Sequence, residues 1–500
     1  MSPSGPLPDG FVVALSRHTR VVDDGDVLVG GSPTRVARLK PAARALLHDG
    51  RVVVSDARSR ALARHLLATG LADPVVSELS PVDPALATIV VPVHERPAQL
   101  DRLLKSIGDG WRVIVVDDAS RDQHEVREVA RRHGARFVTL STNLGPAGAR
   151  NAGLALVTTP FVVFVDSDVV VDPDALESLL RHFADPAVAL VAPRVRALDP
   201  LAARAGRGSR GGTGLASGSE RPQGPRRTGG RGWIEAYEDA RSSLDLGEDP
   251  ASVMPLSRLT WVSSTCLAAR VEALDGGFDR RMRVGEDVDL VWRLVERGWT
   301  VRYEPAAAVQ HEHRSTLRSW LGRKAYYGTG ADPLAQRHPE NIAPIVLPVW
   351  GAAVLVSLLA QRRWSLPVAA AISATAAVRI ARRTGAVQHP YRLAGWLTMS
   401  GLASALAQGF ALLLRHWWPL TAVACLFSRR MRRAVIVASI ADTAWEYART
   451  RPRLDPVRFA LARRLDDAAY GAGVWWSAVH GRSPRALLPV VRFRRRDPEH

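Results

Sequence analysis

Lysine is nearly missing from this chain: of 67 basic residues in 500, only Lys40, Lys105 and Lys324 are not arginine. None of the three follows a glycine, so no G-x-x-x-x-G-K-[ST] loop exists and P-loop phosphate chemistry is excluded. Cysteine is equally scarce. Cys266 and Cys425 lie far apart, which leaves no zinc-type spacing and no disulfide framework beyond a single bridge, a pattern that fits a reducing cytoplasm. The first ten residues, MSPSGPLPDG, hold no basic segment followed by an apolar core, so no secretory signal is expected. There is no internal repeat of useful period.

What is present is an ordered composition, 47% hydrophobic and 23% charged, over a length that accommodates roughly two to four domains. The net charge of +18 raises nucleic-acid binding as one class of function. Against it, the excess is arginine beside abundant alanine, as a GC-rich genome produces. The densest basic runs also lie in a low-complexity stretch and beside apolar blocks, not on a DNA-reading helix.

Four regions follow along the chain. Residues 1 to about 80 read as a small α+β module: a hairpin around Asp24-Gly25, a helix from Pro41 to Gly50, and a second helix ending at Gly70. From Ala87 to about 335, strands such as TIVVPV, RVIVVD, RFVT and FVVFV alternate with amphipathic helices, which means βαβ units and a parallel sheet. Within it, 204–232 is Gly/Ser/Arg-rich with few apolar residues and reads as a flexible insertion. From 341 to 430 the chain becomes apolar in blocks. Asn341–Gln361 and Leu393–Leu414 are uncharged and long enough to cross a hydrocarbon layer of about 30 Å. Trp364–Val378 and Trp417–Phe427 are shorter. Arginines bound the blocks and Trp350, Trp364, Trp417 and Trp418 suit an interface, so a membrane-associated helical region is expected, with the number of crossings open. Residues 431–500 form a basic helical tail.

The chemistry gathers at the ends of the strands. PFVVFVDSDVVVDPDAL sets down Asp166 and Asp168 just past a buried strand, where open α/β sheets bind ligands. Two positions apart on extended backbone, both carboxylates can reach one divalent cation that also holds a phosphorylated substrate. The first strand ends in Pro92-Val93-His94-Glu95 and the second in Asp117-Asp118. The third is followed by NLGPAGARN, with Asn143, Gly145 and Arg150. A carboxylate at the second tip can accept from a base N–H or a ribose hydroxyl, and Arg150 can donate toward substrate oxygens. Further on, Glu286-Asp287 opens a helix whose dipole keeps a carboxylate ionised.

The runs VPVHERP, VVDDAS, NLGPAGARN and VDSD, followed by GGFDRRMRVGEDVDLVWRLVERGWTVRYEP, resemble the inverting glycosyltransferases of family 2, which have the GT-A fold. The likeness covers about residues 87 to 315. It departs at His94-Glu95, where that family often carries an aromatic residue and Asn, the aromatic ring stacking on the base. The front stretch from DDGDVLVGG to LLATGLADP resembles the PqqD-like peptide-recognition module of pyrroloquinoline-quinone peptide chaperones. That module ahead of such a transferase is similar to the glycosyltransferases of the mycofactocin system of actinobacteria.

These resemblances imply an α/β fold with a GT-A, Rossmann-like core, a winged-helix-like front module and a helical membrane-associated end. They imply an inverting hexosyltransferase that moves glucose from UDP-glucose, as β-1,4-linked units, onto mycofactocin or its peptide-derived precursor. Asp287 becomes the base, and Pro92, Val93, His94, Glu95, Asp117, Asp118, Asn143, Gly145, Arg150 and Asp166 the nucleotide-sugar side. Asp166, Asp168 and His311 become ligands of Mn²⁺ or Mg²⁺, with His313 the competitor for the imidazole position. Glu286, Trp261, Trp292 and Arg293 fall on the acceptor side. The catalytic domain is expected in the cytoplasm at the cell membrane, with no nucleic-acid partner. A membrane transferase acting on a polysaccharide or lipid-linked acceptor would share every one of these residues.

Overall fold

In the computed structural model, residues 5–198, 232–312, 316–385 and 387–492 are described. Apart from Gly232, the Gly/Ser/Arg-rich insertion lies outside them, as do His313 and the last eight residues.

The architecture is built on one mixed sheet. Its strands are β1 (Ala87–Val93), β2 (Arg112–Asp117), β3 (Arg136–Thr139), β4 (Phe161–Val165), β5 (Val169–Val171), β6 (Val188–Ala197), β7 (Ala251–Ser252), β8 (Cys266–Arg270) and β9 (Thr300–His311). Across the sheet they run β5-β9-β6-β8-β4-β1-β2-β3, with β7 on β9. β3, β2, β1 and β4 are mutually parallel, as alternating strands and helices require. The expectation of an all-parallel sheet fails beyond β4, because β8 enters antiparallel to both β4 and β6. Both faces are buried, and alternate residues feed two cores. Ile89, Val91, Val163 and Val165 pack on one face with Leu100, Leu103 and Leu104. Val90, Ile114, Val162 and Phe164 pack on the other with Leu290, Val291 and Trp292. That two-sided burial is why the strands read as continuous apolar runs.

Helices α1 (Pro97–Ile107), α2 (Gln123–Arg132), α3 (Gly145–Leu154), α4 (Pro173–Arg181), α5 (Trp233–Arg241) and α6 (Glu286–Glu296) flank the sheet. Pro97 and Pro173 open α1 and α4, and Asp172 caps α4 by accepting from the Asp174 N–H. In front of the sheet, two three-stranded sheets and the helix Ala57–Thr69 enclose their own core of Phe11, Val13, Leu28, Val52 and Leu66. The Asp24-Gly25 hairpin forms, pairing Val22 with Val27, and Gly70 ends its helix at φ 67°. The helix expected from Pro41 is only Pro41–Arg44.

After the sheet come α7 (Leu317–Gly328), α8 (Ala331–Arg337), α9 (Val349–Ala360), α10 (Ser365–Arg383), α11 (Pro390–Ala411), α12 (Trp418–Phe427), α13 (Arg429–Thr450) and α14 (Pro456–His480). Asn341–Gln361 does not make a membrane-length helix: Val346–Pro348 pair as a strand with Val490–Arg492, and Pro348 leaves only twelve helical residues behind it. Among the described residues, Pro390–His416 is the one stretch long and apolar enough to cross a membrane by length and composition. Leu426 and Phe427, at the end of α12, are 73% and 84% exposed. The front hairpin covers the start of α11, with Val27 and Val29 against Val387 and Leu393, and Arg20 stacked 3.9 Å over the Trp396 ring. Cys266 and Cys425 are both free, so the single bridge the sequence allows is not made.

The tail helix α14 docks on α7 through bare backbone. A Cβ on Gly473 would come within 1.9 Å of the Ala325 carbonyl oxygen, and one on Gly471 within 2.0 Å of the Arg415 carbonyl oxygen. Gly473→Ala is therefore expected to lower unfolding free energy by about 1–3 kcal/mol, the usual penalty of overpacking. Gly322→Ala, on α7 where nothing lies within 4 Å, is the control and should leave stability unchanged or slightly raised. Denaturant unfolding of both variants checks this, and equal stability of the two would contradict the close packing.

Candidate active site

The site is assembled from the carboxyl ends of β1, β2 and β4, the start of α3, the loop before β8 and the first turn of α6. These line one cavity of about 1160 Å³. Its anchor is Arg150. Glycine at 153 lets α3 lie close on the sheet, since a Cβ there would meet Val90 Cγ1 at 2.3 Å. Asn151 locks the same helix to the Gly276-Gly277-Phe278 turn: its Nδ2 donates to the Phe278 carbonyl (2.7 Å) and its Oδ1 accepts from the Phe278 N–H (2.9 Å). Arg150 is thereby buried, 2% exposed, with its guanidinium 5.3 Å from the Phe278 ring centre. Its Nη2 donates to Asp166 Oδ1 at 2.6 Å and its Nη1 to Glu286 Oε1 at 3.2 Å. One cation so joins the end of β4 to the start of α6.

Asp166 and Asp168 flank a turn rather than an extended segment, the Val169 N–H donating to the Asp166 carbonyl at 3.2 Å. Both still face the cavity. Their environments pull them apart. Burial raises Asp166 above its ordinary value, with Arg150 opposing. Burial also pushes on Asp168, but His311 and Arg96 outweigh it and hold Asp168 below the usual range. Arg96 is hydrogen-bonded to Asp168 Oδ2, and His311 Nε2 stands 3.5 Å from Oδ1. Two carboxylates and an imidazole at one corner are a donor set that suits Mn²⁺ better than Mg²⁺. Among the described residues no three such groups converge to hold an ion as they stand, and Arg96 and Arg150 supply the compensating charge.

Asp287 opens α6 behind Gly285, which takes φ 80°. Its Oδ2 accepts from the Ser264 N–H (3.2 Å) and its Oδ1 from the Val288 N–H (2.8 Å), which aims the carboxylate and orients it toward the β8 loop. Burial raises its pKa against those two bonds. Glu286 is pushed up to about 7 by burial and by the neighbouring Asp287 charge, with Arg150 again opposing.

Of the residues expected on the nucleotide-sugar side, Pro92, Val93, His94, Asp118, Asn143, Gly145, Arg150 and Asp166 line the cavity. His94, Asp118 and Asn143 form one unit. His94 Nδ1 lies 2.9 Å from the Asp118 carbonyl oxygen, Asn143 Nδ2 donates to that oxygen at 3.3 Å, and Asp118 Oδ1 accepts from the Leu144 N–H at 2.7 Å. Asp117 and Glu95 are not in the wall. The buried Asp117 carboxylate accepts from the Ser120 N–H and the Thr139 hydroxyl, tying β2 to β3. Glu95, at φ 58°, accepts from the Arg121 N–H on the rim. On the acceptor side Trp261, Trp292 and Glu286 line the cavity, with Trp292 Nε1 donating to the Thr260 carbonyl. Arg293 does not: it turns to Asp289 (2.8 Å) and the Gly277 carbonyl, beside a separate cavity of about 950 Å³. An i,i+1 neighbour of Trp292 points elsewhere on a helix, which is the physical reason. Sequence reasoning missed Arg96, though it stands inside the VPVHERP run. It also missed Glu238, Lys324, Arg415, Asp466 and Tyr470, which reach the cavity from far along the chain and carry no local signal.

Comparison with known proteins comes down on one activity. Residues 88–233 match the model of Glycosyl transferase family 2, and 210–438 that of Glycosyl transferase family group 2. The chain is 40% identical over 97% of its length, and 99% of theirs, to the pre-mycofactocin glycosyltransferases of two Mycobacterium tuberculosis strains. It is 27% identical to the validoxylamine A glucosyltransferase of Streptomyces hygroscopicus subsp. limoneus, over 58% of this chain and 66% of that one. Among solved structures, the mannosyltransferase PcManGT from Pyrobaculum calidifontis, in complex with GDP-Man and Mn²⁺, covers 66% of this chain and 89% of its own, at 21% identity and a TM-score of 0.36.

Glu286 gives the site a pH signature. With its pKa raised from 4.5 to about 7, the folded chain keeps a proton that the unfolded chain has released between those values. The folded state binds more protons there, so this group's contribution to stability falls as pH rises from about 4.5 to about 7. Glu286→Gln removes that slope. Denaturant titrations at pH 5 and pH 7.5 should show a smaller loss of stability with pH in the variant than in the parent; an unchanged difference would contradict the raised pKa.

Proposed function

We propose, for a chain that belongs to glycosyltransferase family 2 and within it to the pre-mycofactocin glycosyltransferases, that it moves glucose from UDP-glucose onto mycofactocin or its peptide-derived precursor. In this reading the product is a β-1,4-linked oligoglucoside and each transfer inverts the anomeric centre. The observation that carries it is the meeting of Asp166, Asp168 and Asp287 in one cavity around the buried Arg150.

The His94, Asp118 and Asn143 unit receives the nucleoside. Asp166, Asp168 and His311 would hold a divalent metal ion, which when bound supplies charge against the leaving diphosphate. Asp287 accepts the proton of the attacking hydroxyl as its oxygen bonds to the anomeric carbon and the bond to the diphosphate breaks. Its two backbone hydrogen bonds fix its direction, and burial makes it a stronger proton acceptor than an exposed aspartate. Trp261 and Trp292 border the acceptor.

Residues 1–80 as a peptide-recognition module, 87–335 as the transferase, 341–430 as apolar membrane helices and 431–500 as a basic tail belong to the same reading. The exposed apolar side chains of α12 and the arginines 429, 430, 432 and 433 that follow it support contact with a membrane.

Release of UDP from UDP-glucose, assayed with a peptide-derived acceptor, a lipid-linked acceptor and a polysaccharide, tests the acceptor. Turnover with only the last two would overturn it. Asp287→Asn should slow transfer by about 10²- to 10⁴-fold while UDP-glucose affinity survives; collapse of donor affinity instead would make Asp287 a binding residue. Chelation should abolish transfer and Mn²⁺ restore it, with loss of most transfer also in Asp168→Asn. Full activity in excess chelator contradicts the metal. Flotation should carry the full-length chain to the top of a gradient with phosphatidylglycerol vesicles; a chain left wholly at the bottom contradicts membrane contact.

A further inference from the structure

We infer that the far end of the catalytic cavity is a sugar-binding acceptor subsite, one wall of which comes from the tail helix α14 and the corner at Arg415. This rests on the glucosyl-transfer reading above and adds to it where the acceptor lies and what chemistry it presents.

The first ground is size. A pocket for one small molecule usually measures about 300–1000 Å³, and this cavity reaches about 1160 Å³. The donor-side residues at the strand ends account for one part of its wall. Another part is made by charged and aromatic residues from distant helices, among them Glu238 of α5, Lys324 of α7, Arg415, and Asp466 and Tyr470 of α14. The mechanism uses none of them.

The second ground is the chemistry of that wall. Lys324 and Asp466 are 4% and 6% exposed, yet every charge is matched. Lys324 Nζ lies 2.9 Å from Glu238 Oε1 and 3.6 Å from Asp466 Oδ2, which also accepts from the Tyr237 hydroxyl at 3.1 Å. Arg415 Nη1 lies 3.3 Å from Asp467 Oδ1, and its guanidinium is stacked 4.0 Å over the Tyr470 ring. A charged ligand entering here would have to break one of these pairs and leave a buried charge unpaired, which is strongly unfavourable. A neutral polyhydroxyl molecule does not. Its hydroxyls can donate to the carboxylates and accept from the cations, while the C–H face of a pyranose lies against aromatic rings. Trp261 and Tyr327, both half-buried, supply such rings around the same cavity. The ligand class that fits is a carbohydrate, here the sugar already on the acceptor.

The third ground is rigidity. The glycine contacts that seat α14 on α7 and on the Arg415 backbone hold this wall in place through main chain. Arg415 lies near the end of Pro390–His416, so the one membrane-length stretch among the described residues ends at the cavity wall.

The test uses full-length protein, cellotriose as probe and saturating UDP. Tryptophan emission should change saturably with cellotriose. Tyr470→Ala should raise the half-saturating concentration by about tenfold and leave UDP affinity unchanged, with Tyr470→Phe near the parent. Hydrogen exchange on the parent chain gives a second readout that needs no variant: cellotriose should slow exchange in peptides spanning 317–328 and 456–480. If UDP binds but cellotriose neither changes emission nor protects those peptides, the subsite is overturned and the donor reading stands. Protection confined to other segments overturns the tail wall. Failure to bind UDP overturns the donor reading itself, and the subsite with it.

Discussion

A single buried guanidinium holds this site together. Arg150 bridges Asp166 and Glu286, residues that arrive from the end of β4 and the start of α6 and stand 136 positions away from it at the far end. A fully buried Arg150, a buried Glu286 and a half-buried Asp166 meet in one place, and their balance is what keeps two carboxylate-bearing segments facing one cavity. Removing the cation would leave the buried Glu286 and the half-buried Asp166 without their shared partner, and stranding a buried charge is strongly destabilising. Around it, small features serve its position: Gly153 brings α3 onto the sheet, and Asn151 clips the Gly276-Gly277-Phe278 turn to the same helix.

Much of this is legible in the sequence. Phe161–Val165 reads as a doubly buried strand because every residue is apolar, and it is one. Asp172-Pro173 announces a helix start, and Gly70 a helix end, by local backbone chemistry alone. The GT-A fold is implied by the resemblance of VPVHERP, VVDDAS, NLGPAGARN and VDSD to the family 2 glycosyltransferases. What was not legible depends on contacts distant in sequence. No local pattern tells that β8 enters antiparallel, since Cys266–Arg270 has the same apolar texture as a parallel strand. Asp117 and Asp118 are neighbours with equal claims, and only the fold decides that Asp118 meets the cavity while Asp117 ties β2 to β3. The apolar block at 341–361 has the composition of a membrane segment, and a three-residue pairing with Val490–Arg492 shortens it.

The C-terminal half is joined to the catalytic half and is not an appendage to it. α14 touches α7 backbone to backbone, and the front hairpin covers the first turns of α11. Residues from both ends of the chain therefore bear on the helix most suited to a bilayer. That helix finishes beside the cavity that holds Asp287. The same packed helices thus join the one membrane-length stretch among the described residues to the wall of that cavity.

The central claim is a single displacement with Asp287 as proton acceptor, and the product's stereochemistry tests it most directly. Proton NMR of the first glycoside formed from UDP-α-glucose reads the configuration at the new bond, which as an acetal does not mutarotate. The account predicts a β-glycoside. An α-glycoside would mean retention, and would contradict both the single displacement and the role given to Asp287.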